Sequence, residues 1–193
     1  MLINEVLADP SAIGGDANRD GIVSTLQDEF VELVNTAEGP ISLSGWSLWD
    51  AVKVRHVFSS DATIPGWGFF VVFGGGSPQG FDHFAVSSQN GLSLNNDGDT
   101  ISLFDAGGLG IDAFTYGAEG GLDAALTRFP DAVGRFSRHN LVAPRSFSPG
   151  ATVDGRLTLP TSSMPEPASG LLFTLGLCWP VLRRHRASLE SIS

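Results

Sequence analysis

Glycine and proline interrupt this chain so often that its body cannot hold a long helical repeat, and no other feature limits the fold as much. Twenty-four glycines and eleven prolines among 193 residues cut it into short apolar runs separated by turn residues, with no sustained 3.6-residue period ahead of the C-terminal tail. Eight of these runs read as strands: 3–8, 30–35, 46–49, 55–58, 69–73, 101–104, 111–116 and 126–129. Eight short strands joined by turns imply an all-β fold built as a sandwich. Phe69-Phe70-Val71-Val72-Phe73 is apolar at every position, so it is expected to be central and buried on both faces. Thr100-Ile101-Ser102-Leu103 alternates, as a half-exposed strand does. Asn96-Asp97-Gly98-Asp99 and Asp105-Ala106-Gly107-Gly108 flank that strand and supply residues that accept positive φ, as tight connections between antiparallel strands require.

Hydrophobic content of 42% against 17% charged residues describes a globular chain. A body of about 150 residues buries around 70% of its unfolded surface, enough for a core without cross-links. The single cysteine, Cys178, permits no disulfide within one chain, and in its apolar tail it reads as a small greasy side chain. The formal charge is −10, and the tail from Pro165 sets Glu166 and Glu190 against three arginines. The body is therefore more acidic than the total. It repels phosphate backbones, which argues against a nucleic-acid partner and leaves divalent cations and basic surfaces.

The tail has three parts in a fixed order: Pro165-Glu166-Pro167, an uncharged run from Ala168 to Leu182, and the cluster Arg183, Arg184, His185, Arg186. As a helix the run would span roughly 22 Å, short of the ~30 Å hydrocarbon core. Gly170, Gly176 and Pro180 weaken it further, which suits a transient anchor. The arginines resist crossing a membrane and would leave the body on the far side. This order resembles the PEP-CTERM sorting signal of bacterial exported proteins. The resemblance implies an exosortase-type processing enzyme, at least transient passage of the C-terminal helix through the cytoplasmic membrane, and a body at the cell envelope or outside the cell. An ordinary single-pass tail, or an apolar helix packed on the domain, is the other reading. Residues 153–164 are small and polar, with Pro160 among them, and read as a linker. The organisation is thus a domain at 2–152, a linker at 153–164 and a sorting or anchor segment at 165–186. Met1 leads directly into Leu2-Ile3-Asn4-Glu5-Val6-Leu7, a strand pattern and not a charged start followed by a long apolar stretch. Export then requires a leader upstream of Met1; without one, an intracellular scaffold is favoured.

Within the body, Ile3-Asn4-Glu5-Val6, Glu29-Phe30-Val31-Glu32-Leu33-Val34-Asn35 and Leu43-Ser44-Gly45-Trp46-Ser47-Leu48 follow one another, then Ile64-Pro65-Gly66-Trp67-Gly68, Gly91-Leu92-Ser93-Leu94 with Asp97-Gly98-Asp99, Leu126-Thr127-Arg128-Phe129-Pro130-Asp131 and Ser148-Pro149-Gly150. This series closely resembles the lamin tail domain in its bacterial form over residues 2–152. The resemblance implies an immunoglobulin-like β-sandwich, here with a C-terminal transmembrane-type helix. In nuclear lamins the domain follows a long coiled coil; no heptad array exists here, so a filament role is not implied. Bacterial relatives are exported, alone or beside hydrolase domains, which implies a non-enzymatic binding or structural module facing an envelope or matrix component. The rivals are a hydrolase, or an accessory domain of one, and an intracellular scaffold.

One stretch carries site chemistry. From Asp16, oxygen-bearing side chains fall at positions one, three, five and nine, with Gly21 at six, matching the start of an EF-hand or dockerin calcium loop. Asp16, Asn18 and Asp20 would ligate through side chains, Ile22 through its carbonyl, and Ser24 directly or through water. Position twelve is Gln27 and the nearest carboxylates are Asp28 and Glu29, which implies a register shift or a weaker site. No amphipathic helices flank this loop, which joins two strands. The competing reading is a solvated loop whose side chains cap their own turns.

Catalysis finds little support. His56, His83 and His139 are scattered, Gly74-Gly75-Gly76-Ser77-Pro78 lacks the Lys-Ser/Thr ending of a phosphate loop, and Asp82-His83 has no nucleophile beside it. Trp46, Trp49 and Trp67 are expected in the core, not on a sugar-stacking platform. Glu5 and Glu32 lie in apolar strands. Edge polarity or a satisfied hydrogen bond is expected for them over a carboxylate pair.

Overall fold

The computed structural model describes residues 1–160. Pro165, Glu166, Pro167, Arg183, Arg184 and Arg186, together with the apolar run and Cys178, lie outside the described residues. Among the described residues twelve strands form: β1 Leu2–Leu7, β2 Phe30–Val34, β3 Ile41–Ser42, β4 Ser47–Trp49, β5 Val54–Val57, β6 Thr63–Ile64, β7 Phe69–Phe73, β8 Phe84–Val86, β9 Asp99–Phe104, β10 Gly110–Tyr116, β11 Leu126–Phe129 and β12 Arg135–Arg138. They include a strand at each of the eight expected runs. The additional four are two to four residues long, too short for a hydrophobic period to show. Among the described residues, no helix is long and apolar enough to cross a membrane.

The strands build a six-stranded sheet in the order β12-β11-β1-β2-β7-β8, a four-stranded sheet in the order β10-β9-β4-β5, and a small β3-β6 pair. All neighbours are antiparallel except β7 and β8. Ile3, Val31, Leu33, Phe70 and Val72 from the larger sheet meet Leu48, Ile101 and Leu103 from the smaller one in the main core. On β9 the predicted alternation holds: Asp99, Ile101 and Leu103 are buried while Thr100, Ser102 and Phe104 are not.

The outer face of the larger sheet is covered as well. Leu7, Phe30, Val71, Phe73 and Ala125 form a second cluster with Ala17, Phe81 and Phe147 from surrounding loops. Phe30 stands edge-on to Phe73 at 6.0 Å and to Phe147 at 6.5 Å. Burying such a ring contributes about 1.5–3 kcal/mol. β2 and β7 are consequently buried along their whole length, as the unbroken apolar run at 69–73 predicts.

Of the two turns, the one at 105–109 joins neighbouring strands. Asp105 Oδ1 accepts from Gly107 N at 2.9 Å and Leu109 N at 2.8 Å, and Gly108 has φ +81°. The turn at 96–99 instead leads from β8 in one sheet to β9 in the other, so it does not close a hairpin. The tryptophans also depart from expectation. Trp46 and Trp67 pack half-buried against core clusters, but Trp49 is 39% exposed. Leu48 takes the inward position on β4, which puts its neighbour Trp49 on the opposite side of the pleat.

After β12 and a helical turn at His139–Val142, residues 146–160 return as a strap. Ala125 N donates to Ser146 O, and Leu159 N donates to Trp67 O, each at 2.8 Å. Val153 and Leu159 are buried, so the first part of the stretch read as a linker lies on the body.

Candidate functional site

The long connection from β1 to β2 holds the predicted loop. Asp16 Oδ2 accepts from Gly21 N at 3.1 Å, linking positions one and six across the turn. Asn18 Oδ1 accepts from Asp20 N at 3.0 Å, and Asp20 Oδ1 from Ile22 N at 2.9 Å. Gly21 has φ +87°, which glycine adopts freely. Asp28, not Gln27, closes the loop: its carboxylate accepts from Asn18 N at 3.0 Å and Ser24 N at 2.8 Å. The 74–79 segment buttresses this arrangement, since Asp20 Oδ2 accepts from Ser77 N and Asn18 Nδ2 donates to Gly75 O.

The structure thus ties Asp16, Asn18, Asp20 and Asp28 into one hydrogen-bonded unit. Ile22 stands at the exposed tip, while Ser24 Oγ accepts from Gln27 N. Backbone donors from Ser77 and Ile22 hold the Asp20 carboxyl below its usual range. Burial pushes Asp28 up, and the nearby Asp16 charge adds to the rise. Asp16 Oδ1 is buried without a hydrogen-bond partner. Among the described residues, no three carboxylate, imidazole or thiol groups cluster to hold a metal by themselves. A cation here would therefore need amide or main-chain oxygens beside the carboxylates. The free Asp16 oxygen fits such a cation, because a buried unpaired acceptor is costly to leave unsatisfied.

A second polar cluster lies between the larger sheet and the strap. The β1–β2 register sets Glu5 opposite Glu32, with a shift between Ile3 and Glu5. The extra residue is Asn4. This bulge lets two consecutive side chains reach the same face, and Asn4, Glu5 and Glu32 are all fully buried. Asn4 Nδ2 donates to Glu32 Oε1 at 2.9 Å and to Asp131 Oδ1 at 3.1 Å, and Asn4 Oδ1 accepts from Ala132 N. The strap supplies the remaining donors: Ser148 N to Glu5 Oε1 at 2.9 Å, Gly150 N to Glu32 Oε2 at 2.7 Å, and Val153 N to Asp131 Oδ2 at 3.1 Å. Glu5 and Glu32 thus stand opposite each other in register, and each carboxyl has hydrogen-bond partners, as expected for satisfied buried groups.

Ser148 Oγ lies 2.8 Å from Glu5 Oε2 and 3.0 Å from His139 Nε2, while His139 Nδ1 lies 2.8 Å from Arg145 O. A carbonyl only accepts, so Nδ1 carries a proton and Nε2 of the neutral ring is an acceptor. The Ser148 hydroxyl then donates to Nε2, and Glu5 completes the chain by donating as a carboxylic acid. The electrostatics agree. Burial pushes Glu5 up to about 8 and Glu32 well above its usual range, with the Glu5 charge adding to the latter. Burial likewise raises Asp131 and lowers His139.

Serine, histidine and acid side chains meet here, but Ser148, His139 and Glu5 are 5%, 0% and 0% exposed, and the carboxyl touches the serine, not the histidine. The set fastens strap to sheet and offers no face to a substrate. His56 is likewise an inward side chain of β5. Its ring stands edge-on to Phe58 at 4.7 Å, and burial lowers it to about 4. The sequence reading missed Asn4, Asp131, His139 and Ser148 as one cluster. Polar residues inside the first apolar strand were the available signal.

A family model described as the Lamin Tail Domain matches residues 1–118, more than half of the chain. The match covers β1 to β10; β11, β12 and the strap lie beyond it. No curated protein matches the chain.

Proposed function

This chain belongs to the lamin tail domain family of immunoglobulin-like sandwiches, and from that premise we propose that it is a non-enzymatic binding or structural module held at the cell envelope by its C-terminal tail. The observation that carries this reading is the strap. Ser148, Gly150 and Val153 bond to Glu5, Glu32 and Asp131, so the segment that precedes the tail in sequence is stitched to two central strands. A pull on the tail is thereby spread over the main sheet. Ser148, His139 and Glu5 are buried and used to join the strap to the sheet.

The order of Pro165-Glu166-Pro167, apolar run and Arg183, Arg184 and Arg186 supports sorting through an exosortase-type enzyme and transient residence of the tail in the cytoplasmic membrane. Calcium stabilises the loop of Asp16, Asn18, Asp20, Ile22, Ser24 and Asp28 in this reading, supported by the unpartnered Asp16 oxygen. Trypsin applied to intact bacteria expressing the complete reading frame tests the location. The body should be cut while a cytosolic marker survives; a body spared until the cells are lysed refutes the envelope reading and favours an intracellular scaffold.

A further inference from the structure

The outer face of the four-stranded sheet is a continuous surface without charge. Strand register sets Val57, Ser47, Phe104 and Gly110 in one row, Val54, Trp49, Ser102 and Ala113 in the next, and Thr100 beside Thr115 in a third. None of these ten side chains ionises, in a chain whose formal charge is −10. Asp50 and Arg55, at the margin, neutralise each other as an ion pair.

Trp49 dominates this face and is held in place. Its Nε1 donates to Ser47 Oγ at 2.9 Å, and its ring stands edge-on to Phe104 with centroids 6.0 Å apart. Ser47, Trp49, Phe104 and Gly108 line a shallow depression of about 300 Å³. Gly108 has open space where a side chain would stand, which keeps the depression clear. Hydroxyls line the rest: Ser47, Ser102, and the Thr100–Thr115 pair, whose Oγ1 atoms are 2.8 Å apart.

An aromatic face bordered by hydroxyls matches a pyranose ring, which has an apolar C–H face and a rim of hydroxyl groups. The absence of charge selects an uncharged ligand, since the acidic remainder of the body repels polyanions and a neutral face gives a cation nothing to pair with. Size decides against a second copy of this chain. Four strands ~4.8 Å apart and three rows ~6.8 Å apart make a patch on the order of 200–400 Å², well short of the ~800 Å² per partner of a stable complex.

We propose that this face binds a neutral polysaccharide, with Trp49 as the stacking platform and Ser47, Ser102, Thr100 and Thr115 as hydroxyl partners. The proposal rests on the reading of the domain as a binding module and names the class of its ligand.

The test uses the full chain in mild detergent, sedimented with microcrystalline cellulose, chitin and curdlan. The protein should pellet with at least one of them. Trp49→Ala should cut the bound fraction at least tenfold, Trp49→Phe should restore part of it, and Ile13→Ala, at a side chain 91% exposed outside this face, should leave it unchanged. Circular dichroism checks that each variant is folded, which the exposure of Trp49 favours. Retention on none of the three polymers, or equal retention of Trp49→Ala, overturns the proposal. So does a concentration-dependent dimer that Trp49→Ala dissolves, because the face would then belong to self-association. Loss of glycan binding with the protease result intact removes this site alone, whereas a spared body on intact cells with glycan binding intact removes the envelope reading alone.

Discussion

Replacing Glu5 with glutamine should stabilise the protein increasingly as pH rises. Burial moves the Glu5 carboxyl from 4.5 to about 8 in the fold. A raised carboxyl lends its stability fully below about 4.5 and loses it as pH climbs toward 8, because the unfolded chain releases the proton first. The limiting slope is about 1.4 kcal/mol per pH unit, so between pH 5 and 7 the wild type loses about 3 kcal/mol through this residue. Glutamine cannot lose it. It also keeps every partner: its oxygen accepts from Ser148 N, its amide donates to Ser148 Oγ, and that hydroxyl still donates to His139 Nε2, following the contacts at 2.8–3.0 Å. Glu29 and His56 lie outside this network, titrate alike in both proteins and cancel in the difference. Glu32 does not, since the Glu5 charge is part of what raises it, and its relief acts in the same direction. At about 2–4 °C per kcal/mol for a domain of this size, the melting temperature of Glu5→Gln relative to wild type should rise by about 5–11 °C from pH 5 to pH 7 in differential scanning calorimetry. A difference that stays constant or shrinks across that range refutes the assignment of Glu5 as a buried acid.

Two further outcomes follow from the loop and the strap. Calcium at a hundredfold excess over its dissociation constant should stabilise the wild type by about 3 kcal/mol, and Asp16→Ala together with Asp20→Ala should abolish the rise; an unchanged wild-type melting curve at millimolar calcium ends the metal reading. Truncation after Pro160 should leave the melting temperature within about 2 °C of the full chain. Truncation after Arg145 removes the donors to Glu5, Glu32 and Asp131, and at about 1–3 kcal/mol for each buried acceptor left unpaired it should abolish cooperative unfolding, as read by chemical denaturation.

What was legible in the sequence was local. The run at 69–73 needs no partner to show that both its faces are buried, and the spacing Asp16, Asn18, Asp20, Gly21 sets its own turn before any strand packs. Asp28 and Glu29 stand side by side in the sequence, and only the structure distinguishes them: Asp28 accepts from Ser24 N, while Glu29 accepts from Leu94 N. Trp49 shows the limit. On a strand of three residues, side-chain type does not fix which face points inward, and Leu48 took that side. Glu5 and Glu32 show another, because their meeting depends on a register that includes the extra residue Asn4. His139, Ser148 and Asp131 reach them only through the full topology, so no spacing along the chain announces the cluster.

Ser148 lies 143 positions from Glu5, and Gly150 lies 118 from Glu32. A growing polypeptide cannot make these bonds until nearly all of the body has left the ribosome. Closure must wait for that late arrival, since distant pairings are the slow ones. Until then the first two strands keep acidic groups bare to water, where ionisation makes them soluble and disfavours premature collapse. The same carboxyls that lock the finished domain thus keep the nascent strands soluble until the strap arrives.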